Sequence, residues 1–550
     1  MKKSLIAAIL ATLPGALMAQ TAVDAMSLSQ GGLRGTARFM SMGGAFTALG
    51  GDMSTLNQNP GGIGIYRSSE IALTGDLEFS SVKSEADGFS NTENKTRFSV
   101  NNFGYIGAVR LGNDAMPFFN WGVSYARTAS FNRNYGGRLT DNLQTSYTNL
   151  VADYTSADGW TNEQLAETSN YNPFQDSWAP WSSVMFYNAY AINPTSPGAN
   201  SYSGLFNYDA TAPGSAQYFI NEKGHVDEYN ITFGGNIYNT VYWGLGLGIT
   251  DLDFKQTAYY QENFGSDANV PDWDAASYTS GSAAYGMSNW KHIWGTGYNV
   301  KFGLIFKPIN EFRLGIAVHS PTWYSLNYDG QATVGYDYDS PSYPAGEDRP
   351  SGNYTSDYDS FSWQMNSPWR LMVGAAGVIG GRGIISADYE YRGTGDIKVQ
   401  DQYGDNYVDI NDDVKTYYQG TNIFRIGAEY RVTPMFSVRA GYVYESSPVK
   451  KEMLDPTGSQ ATYVYTSGPD DTETQPSYTL DRETQYITLG LGYRYKAFSA
   501  DLAYVHRARK SDYHAFTDYN ENSTGLLVQA PMAKLTDNNN QVVLTLSYRF

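Results

Sequence analysis

The sequence predicts an all-β protein: a transmembrane antiparallel β-barrel of about 14 strands, with an N-terminal hatch plugging the lumen. Three observations predict this fold. Many segments alternate apolar and polar residues, and the connections between them alternate between short and long. The composition is rich in aromatic residues and glycine, with 46 Tyr, 25 Phe, 11 Trp and 56 Gly. A glycine-rich stretch with few charges precedes the first strand. Alternating strands joined by short inner turns and long outer loops are typical of membrane barrels.

Residues 1–19 have the pattern of a secretion signal peptide. Lys2 and Lys3 form its basic region, an apolar run follows, and Ala19 precedes the expected cleavage site. Beyond this segment, no run approaches the ~20 apolar residues that a membrane helix needs. The sequence contains no Cys, which excludes disulfides, thiol catalysis and cysteine metal sites.

Residues 20–69 are predicted to form the hatch inside the lumen. Their central stretch, from Gly35 to Tyr66, does not alternate, and its glycines are too frequent for a stable helix. A flexible linker is the alternative for the same composition. Four side chains of the stretch are candidates to line an inner apolar pocket, where Met suits varied ligands. Alternatively, they pack the plug against the wall: Phe39, Met40, Met42 and Phe46.

Residues 70–550 are predicted to form the barrel. In the segment 240–250, for example, Val241, Trp243 and Leu245 share one face, whereas Tyr242 and Gly244 share the other. Fourteen segments follow this rule: 70–82, 96–111, 117–133, 223–237, 240–256, 293–308, 310–328, 366–379, 382–398, 420–433, 434–447, 483–496, 497–510 and 540–550.

The longest connection, about residues 134–222, is too long to be structureless and is predicted to fold as an external cap. It is rich in aromatic residues, which we interpret as an external apolar ligand groove or, alternatively, as the small core that any folded loop of this length needs. These residues are Trp160, Tyr171, Phe174, Trp178, Trp181, Phe186 and Tyr190.

Charge narrows the choice of partners. The net charge of −18 gives no electrostatic footprint for nucleic acid. A stripe of both signs follows the polar face of two neighbouring strands, and its arginines Arg425 and Arg439 are candidates to hold a ligand carboxylate. The alternative is a set of ion pairs that line the lumen.

The five histidines have no metal-site spacing, so the sequence predicts neither a metal site nor a cofactor.

Three runs of the hatch stretch carry a family resemblance: Arg38-Phe-Met, Met42 to Ala48, and Asn57 to Gly61. Together they resemble the hatch of the long-chain fatty-acid transporter (FadL-type) family of outer-membrane proteins. Asn59 and Pro60 match the family pattern, whereas Gly61 replaces its Ala. The final strand, which ends at Phe550, resembles the signal read by the outer-membrane barrel assembly machinery.

The resemblance implies a monomeric barrel in the outer membrane of a Gram-negative-type bacterium, in contact with lipid and lipopolysaccharide. It implies passive uptake of long-chain fatty acids or similar apolar compounds, from an outer groove to an inner pocket, past the moving hatch and sideways into the bilayer. In such a hatch, Asn59 and Pro60 fix a turn, whereas Gly61 and Gly62 let the backbone approach the wall.

Two other functions remain open at this point. The long loops suit a surface-binding or adhesive barrel in which the hatch only seals the pore. An outer-membrane lipid hydrolase is the third possibility, although the sequence contains no GxSxG nucleophile elbow.

Overall fold

The structure is a computed structural model that describes residues 21–210, 214–272, 277–342, 351–455, 472–520 and 527–550. The predicted signal peptide, residues 1–19, lies outside these ranges. Among the described residues, no helix is both long and apolar enough to cross a membrane.

Strands make up most of the described chain. In chain order they are β1 (Glu70–Ala86), β2 (Phe89–Arg110), β3 (Phe118–Ser130), β4 (Arg133–Thr140), β5 (Ile192–Pro194), β6 (Tyr202–Gly204), β7 (Ser215–Ile237), β8 (Val241–Asn263), β9 (Ala268–Asp272), β10 (Ser277–Ile309), β11 (Phe312–His319), β12 (Trp323–Asp339), β13 (Ser351–Thr355), β14 (Asp359–Asn366), β15 (Arg370–Ile379), β16 (Gly383–Arg392), β17 (Lys398–Asp401), β18 (Thr421–Arg431), β19 (Phe436–Glu445), β20 (Tyr478–Tyr495), β21 (Phe498–His514), β22 (Tyr519–Asn520), β23 (Leu527–Val528) and β24 (Met532–Arg549).

Within the described residues, these strands close an antiparallel barrel with 14 wall strands, as predicted. The wall runs β1–β2–β3–β7–β8–β10, continues through three strands that are each made of two pieces, and returns through β18–β19–β20–β21–β24. The two-piece strands are β11 with β12, β15 with β14, and β16 with β17. The closing pair is long, with β1 and β24 in register from Glu70 opposite Arg549 to Glu85 opposite Lys534. A closed wall leaves no edge strand unpaired in the bilayer.

The lower wall has an apolar outer face. On β24, Val542, Leu544 and Leu546 point outward and are exposed, whereas Val543 and Thr545 point into the lumen and are buried. The same alternation recurs around the barrel, so that the exposed apolar side chains form a continuous band. Such a band is unfavourable in water and favourable against hydrocarbon.

Most wall strands reach further outward than the sequence predicted. Strand β10 begins at Ser277, whereas the predicted segment begins at 293. In the added part the polarity is inverted, because Tyr285 and Met287 face inward and Ser288 faces outward. Above the bilayer the outer face meets water and the inner face packs on the cap, so the alternation of the membrane segment does not continue.

The N-terminal segment folds inside the barrel through α1 (Ala22–Leu28), α2 (Ala37–Ser41), α3 (Thr55–Gln58) and a 3-10 helix (Pro60–Ile65). The expectation that this stretch lacks helices was wrong, because short helical turns form between its glycines. Side chains cap three of them: Thr21 accepts the N–H of Asp24, Thr36 that of Phe39, and Asn59 that of Gly61.

The cap closes the outer end of the barrel. It contains α4 (Tyr147–Ala157), α5 (Asn162–Leu165), α6 (Pro173–Asp176), α7 (Trp181–Asn188) and the β5–β6 hairpin. Two further helices, α8 (Val408–Tyr417) and α9 (Lys451–Leu454), lie in later outer connections, and a short 3-10 helix spans Thr394–Asp396. The cap shares one hydrophobic core with the outer part of the wall.

Three neighbouring wall strands are interrupted at one level, and we call this feature the wall break. It comprises residues 320–322 between β11 and β12, residues 367–369 between β14 and β15, and residues 393–397 between β16 and β17. Pro321 and Pro368 lie in two of the interruptions. Because proline has no N–H to donate to a ladder, regular pairing ends there.

Candidate functional site

The hatch touches the wall through glycines. At Gly244, Gly303, Gly315, Gly427, Gly441 and Gly490, a Cβ atom would lie within 3.0 Å of a hatch atom. We call these six the hatch-contact glycines. At four of these glycines the nearest hatch atom is a backbone atom. At Gly303 it belongs to the Asn59 side chain, and at Gly490 to the Ser41 side chain. The wall therefore accepts the hatch backbone at a distance that no other residue type permits.

Asn59 joins the two halves of the hatch to the wall. Its Nδ2 donates to the Thr47 carbonyl in the hatch at 2.6 Å and to the Leu304 carbonyl on β10 at 3.2 Å. Its Oδ1 accepts the N–H of Gly61 at 2.9 Å. The predicted turn is thus present, and Gly61 lies against Gly303 as a close approach requires. The role of this turn in gating remains a prediction.

Replacing Asn59 with alanine is expected to loosen the hatch. The change removes three hydrogen bonds and leaves two buried carbonyls with fewer donors, at a cost of about 1–3 kcal/mol. Hydrogen exchange of hatch amides measures the effect, with Asn310→Ala, an exposed turn substitution, as the control. Equal protection in the two variants would show that Asn59 does not hold the hatch.

The four apolar hatch candidates lie together. Phe39, Met40, Met42 and Phe46 are buried in one cluster with wall residues such as Val505. The rings of Phe39 and Phe46 are 5.3 Å apart. Their side chains fill the space between hatch and wall, which is the packing alternative raised by the sequence. A role in an inner pocket requires the hatch to move.

The aromatic candidates of the cap mostly face inward. Phe174, Trp181 and Phe186 are buried in the cap core, and Trp160 packs against it. Trp178 is different, with 51% of its surface exposed. Of the seven aromatic residues named from the sequence, the structure therefore brings these four into a small core. Trp178 and Tyr190, the latter 39% exposed, can meet a ligand from outside without rearrangement.

The two candidate lumen arginines form ion pairs. Arg425 bonds Glu390 at 2.6 Å. Arg439 bonds Glu429 at 2.6 Å and Asp501 at 2.7 Å. Arg38 of the hatch also reaches Glu429, at 3.0 Å, so the Arg439 network ties the plug to the wall.

Arg34 anchors the hatch to β1 and was missed by the sequence analysis. It bonds Asp76 at 3.1 Å and Glu78 at 2.9 Å on β1, and all three side chains are buried. Burial disfavours the charged guanidinium and by itself lowers the pKa of Arg34. The Glu78 and Asp76 carboxylates outweigh this effect and raise the pKa above its ordinary value. The alternation of Asp76 and Glu78 on one strand face was the available signal.

The lumen also holds a charged cavity of about 100 Å³ between hatch residues 21–34 and the wall. Lys291 on β10 reaches Asp24 of α1 across it, at 2.8 Å. Glu473 also lines this cavity. Burial raises the pKa of Glu473 to about 7, although the Lys291 ammonium acts in the opposite direction. Other charged groups on its surface are Arg34, Glu78, Arg133, Glu222, Asp481, Arg507 and Arg509. Such a lining suits water or a polar ligand group rather than a hydrocarbon chain.

No family model and no curated protein matches the sequence. Solved structures match the fold. A FadL homologue from Pseudomonas aeruginosa is 14% identical, with a TM-score of 0.51, over 94% of this chain and 99% of that chain. The chain has the FadL-type fold. Two further structures have lower scores over the same share of each chain. The toluene transporter TodX of P. putida is 13% identical with a TM-score of 0.45, and the toluene transporter TbuX of Ralstonia pickettii is 14% identical with a TM-score of 0.44.

Proposed function

We propose that this chain is a FadL-type channel for the passive uptake of hydrophobic small molecules across an outer membrane. The observation that carries the proposal is the hatch seated inside a closed barrel of FadL-type fold. A hatch tied to the wall by glycine contacts and ion pairs blocks water-soluble solutes. The free energy of an apolar ligand falls when the ligand moves from water into hydrocarbon, so its passage needs no energy source.

Long-chain fatty acids or similar apolar compounds are the proposed ligands, with sideways release into the bilayer. The wall break supports a sideways route, because the regular strand ladders are interrupted at that level and single backbone hydrogen bonds, Ser367 N–H to Thr322 and Gly393 N–H to Trp369, join the neighbouring segments. The small volume of the cavity between hatch residues 21–34 and the wall supports a moving hatch, since about 100 Å³ is too little for a long acyl chain.

The proposal includes the partners that the family resemblance implied: outer-membrane lipid, lipopolysaccharide and the barrel assembly machinery, with a monomeric barrel. Phe550 supports contact with the assembly machinery. Its backbone pairs with Ser69 through two 3.1 Å hydrogen bonds, while its side chain stays largely exposed at the end of the closing strand.

Gently purified protein is expected to carry its ligand. Mass spectrometry of organic extracts should show fatty acids or aromatic hydrocarbons enriched in the intact protein and absent from a variant that lacks residues 35–64. A barrel of similar size is the control for lipid carried over from the membrane. No enrichment over that control would contradict uptake and would favour the surface-binding alternative.

A further inference from the structure

The outer part of the wall has a gap between two neighbouring strands. Strand β17 ends at Asp401, whereas β14 continues outward as far as Asp359. The ladder between them covers only residues 363–366 of β14, and no described strand pairs with residues 359–362 on that edge. A groove of about 680 Å³ lies there, bounded by β10, β12 and β14 on one side and by residues 401–407 on the other. We call it the lateral groove.

The lateral groove faces sideways, away from the lumen. Tyr328 and Trp363 are buried on the inner face of β12 and β14. Successive side chains of a strand alternate between its two faces, so Asn327 and Asp329 point outward and line the groove. Phe361 closes the inner side, where its ring stacks on that of Tyr328 at 4.7 Å. A ligand therefore reaches the groove from beside the barrel rather than through the lumen.

The groove lies just above the apolar band of the wall. On the outer face of β10, Phe302, Val300 and Tyr298 are exposed, and the Tyr298 ring lies 5.3 Å from that of Trp323. Trp and Tyr concentrate where a bilayer meets water. Trp294, which lines the groove, is four residues further outward. Four residues span roughly 13 Å of strand, or about 10 Å of height at a tilt of about 40°. In the outer leaflet of an outer membrane, the sugars of lipopolysaccharide occupy this level.

The lining combines aromatic rings with small polar groups. Of its eleven residues, five are aromatic and six carry hydroxyl, amide or carboxylate groups. Two of the rings are largely in solvent, since Tyr403 is 82% and Tyr358 54% exposed. A sugar ring has an apolar face of C–H groups and a rim of hydroxyls. The face packs on an aromatic ring, and the hydroxyls bond to amides and carboxylates. The lining offers both kinds of contact, in a volume usual for ligand sites.

Hydrogen bonds hold the polar groups of the groove in position. Ser362 Oγ donates to Asn327 Oδ1 at 2.8 Å, which fixes the amide and directs its N–H groups away from Ser362. Asp401 Oδ1 accepts the backbone N–H groups of Tyr403 and Asp405, each at 2.8 Å. These two bonds shape the turn that carries the Tyr403 ring. They use one oxygen of the Asp401 carboxylate and leave the other for a ligand hydroxyl.

Charge decides which ligand suits the groove. Its described lining contains Asp329 and Asp401 but no Lys or Arg. Two carboxylates without a cation repel phosphate groups and fatty-acid carboxylates. A hydrocarbon chain would cover these carboxylates without offering them a hydrogen bond, which is unfavourable. An uncharged sugar chain avoids both costs.

We propose that the lateral groove binds the sugar chain of lipopolysaccharide from the surrounding leaflet. Tyr358 and Tyr403 stack on sugar rings, whereas Asn327, Asp329 and Asp401 bond to their hydroxyls. This inference rests on the outer-membrane placement in the proposed function and not on uptake. It places a bound glycolipid directly above the wall break.

Equilibrium dialysis of the purified full chain in one detergent tests the inference. The probe is the sugar chain released by mild acid from lipopolysaccharide of the bacterium that produces the protein. Wild type should bind it. Tyr403→Ala should weaken binding about tenfold, as expected for the loss of one stacked ring. Because Tyr403 is 82% exposed, its removal leaves the fold intact. Asp329→Ala, which removes a polar contact, should weaken binding about fivefold.

Tyr278→Ala is the matched control. It removes another exposed tyrosine of the outer wall, on β10 but outside the groove, and should leave binding unchanged. Wild type that does not bind the sugar chain, or equal binding by all variants, would overturn the site.

Two further probes identify other occupants and separate this inference from uptake. Loss of lipid A binding in Tyr403→Ala would assign the groove to headgroup phosphates, and loss of dodecanoic acid binding would assign it to the transported ligand. Either result would overturn the sugar site. Wild type that binds the sugar chain but not dodecanoic acid would support the groove and contradict the uptake function.

Discussion

Replacing Gly244 with alanine is expected to unseat the hatch and make the barrel leak. A Cβ atom at this position would overlap the Pro60 carbonyl group. Both partners are backbone, one in a wall strand and one in the hatch, so no side chain can rotate away to make room. Overpacking of this kind typically costs 1–3 kcal/mol and occasionally more. The hatch yields before the wall, because β8 is held by ladders on both sides.

Single-channel conductance in planar bilayers measures the leak, and hydrogen exchange of residues 35–66 reports on the hatch itself. Gly246→Ala is the matched control. It changes the same strand and the same face two residues away, where a Cβ would have ordinary contacts at 3.5 Å or more. Wild-type conductance in Gly244→Ala, or an equal rise in both variants, would mean that close glycine contacts do not seat the hatch.

The wall was predictable from sequence because bilayer and lumen impose opposite polarity on successive residues. That constraint operates only where one face meets lipid. It therefore located the membrane part of each strand and missed the outer extensions, such as residues 277–292 of β10. The short hatch helices were missed because their stability comes from side-chain caps and from burial in the lumen rather than from intrinsic propensity.

The candidate site was predictable only in part. The hatch motif around Asn59 and Pro60 could be found because it is contiguous in sequence. The Arg34 anchor and the ion pair of Arg425 with Glu390 could not be assembled, because their members come from different strands or segments and their pairing depends on register. Period-2 spacing of charges, as in Asp388, Glu390 and Arg392, indicates a charged lumen face. It does not indicate which opposite charge lies across from it.

Removing the charge of Arg34 is expected to release the N-terminal part of the hatch. Arg34→Ala leaves Asp76 and Glu78 buried beside each other without their cation. Breaking a buried ion pair by removing one partner typically costs about 3–5 kcal/mol. Protection of hatch amides against hydrogen exchange should therefore fall by roughly 100- to 4,000-fold, since each 1.4 kcal/mol is a factor of ten. Arg67→Ala, at an exposed arginine near the end of the hatch, should leave protection unchanged.

A triple variant separates charge from packing. When Arg34→Leu is combined with Asp76→Asn and Glu78→Gln, no uncompensated charge remains, and replacement of a buried ionic group by neutral residues is often neutral. We expect most of the lost protection to return. If the triple variant is as labile as Arg34→Ala, the arginine holds the hatch through its shape and its 2.9 Å hydrogen bond to Asn101 rather than through its charge. If Arg34→Ala itself keeps wild-type protection, the glycine contacts suffice to hold the plug, and movement of the hatch cannot begin at this ion pair.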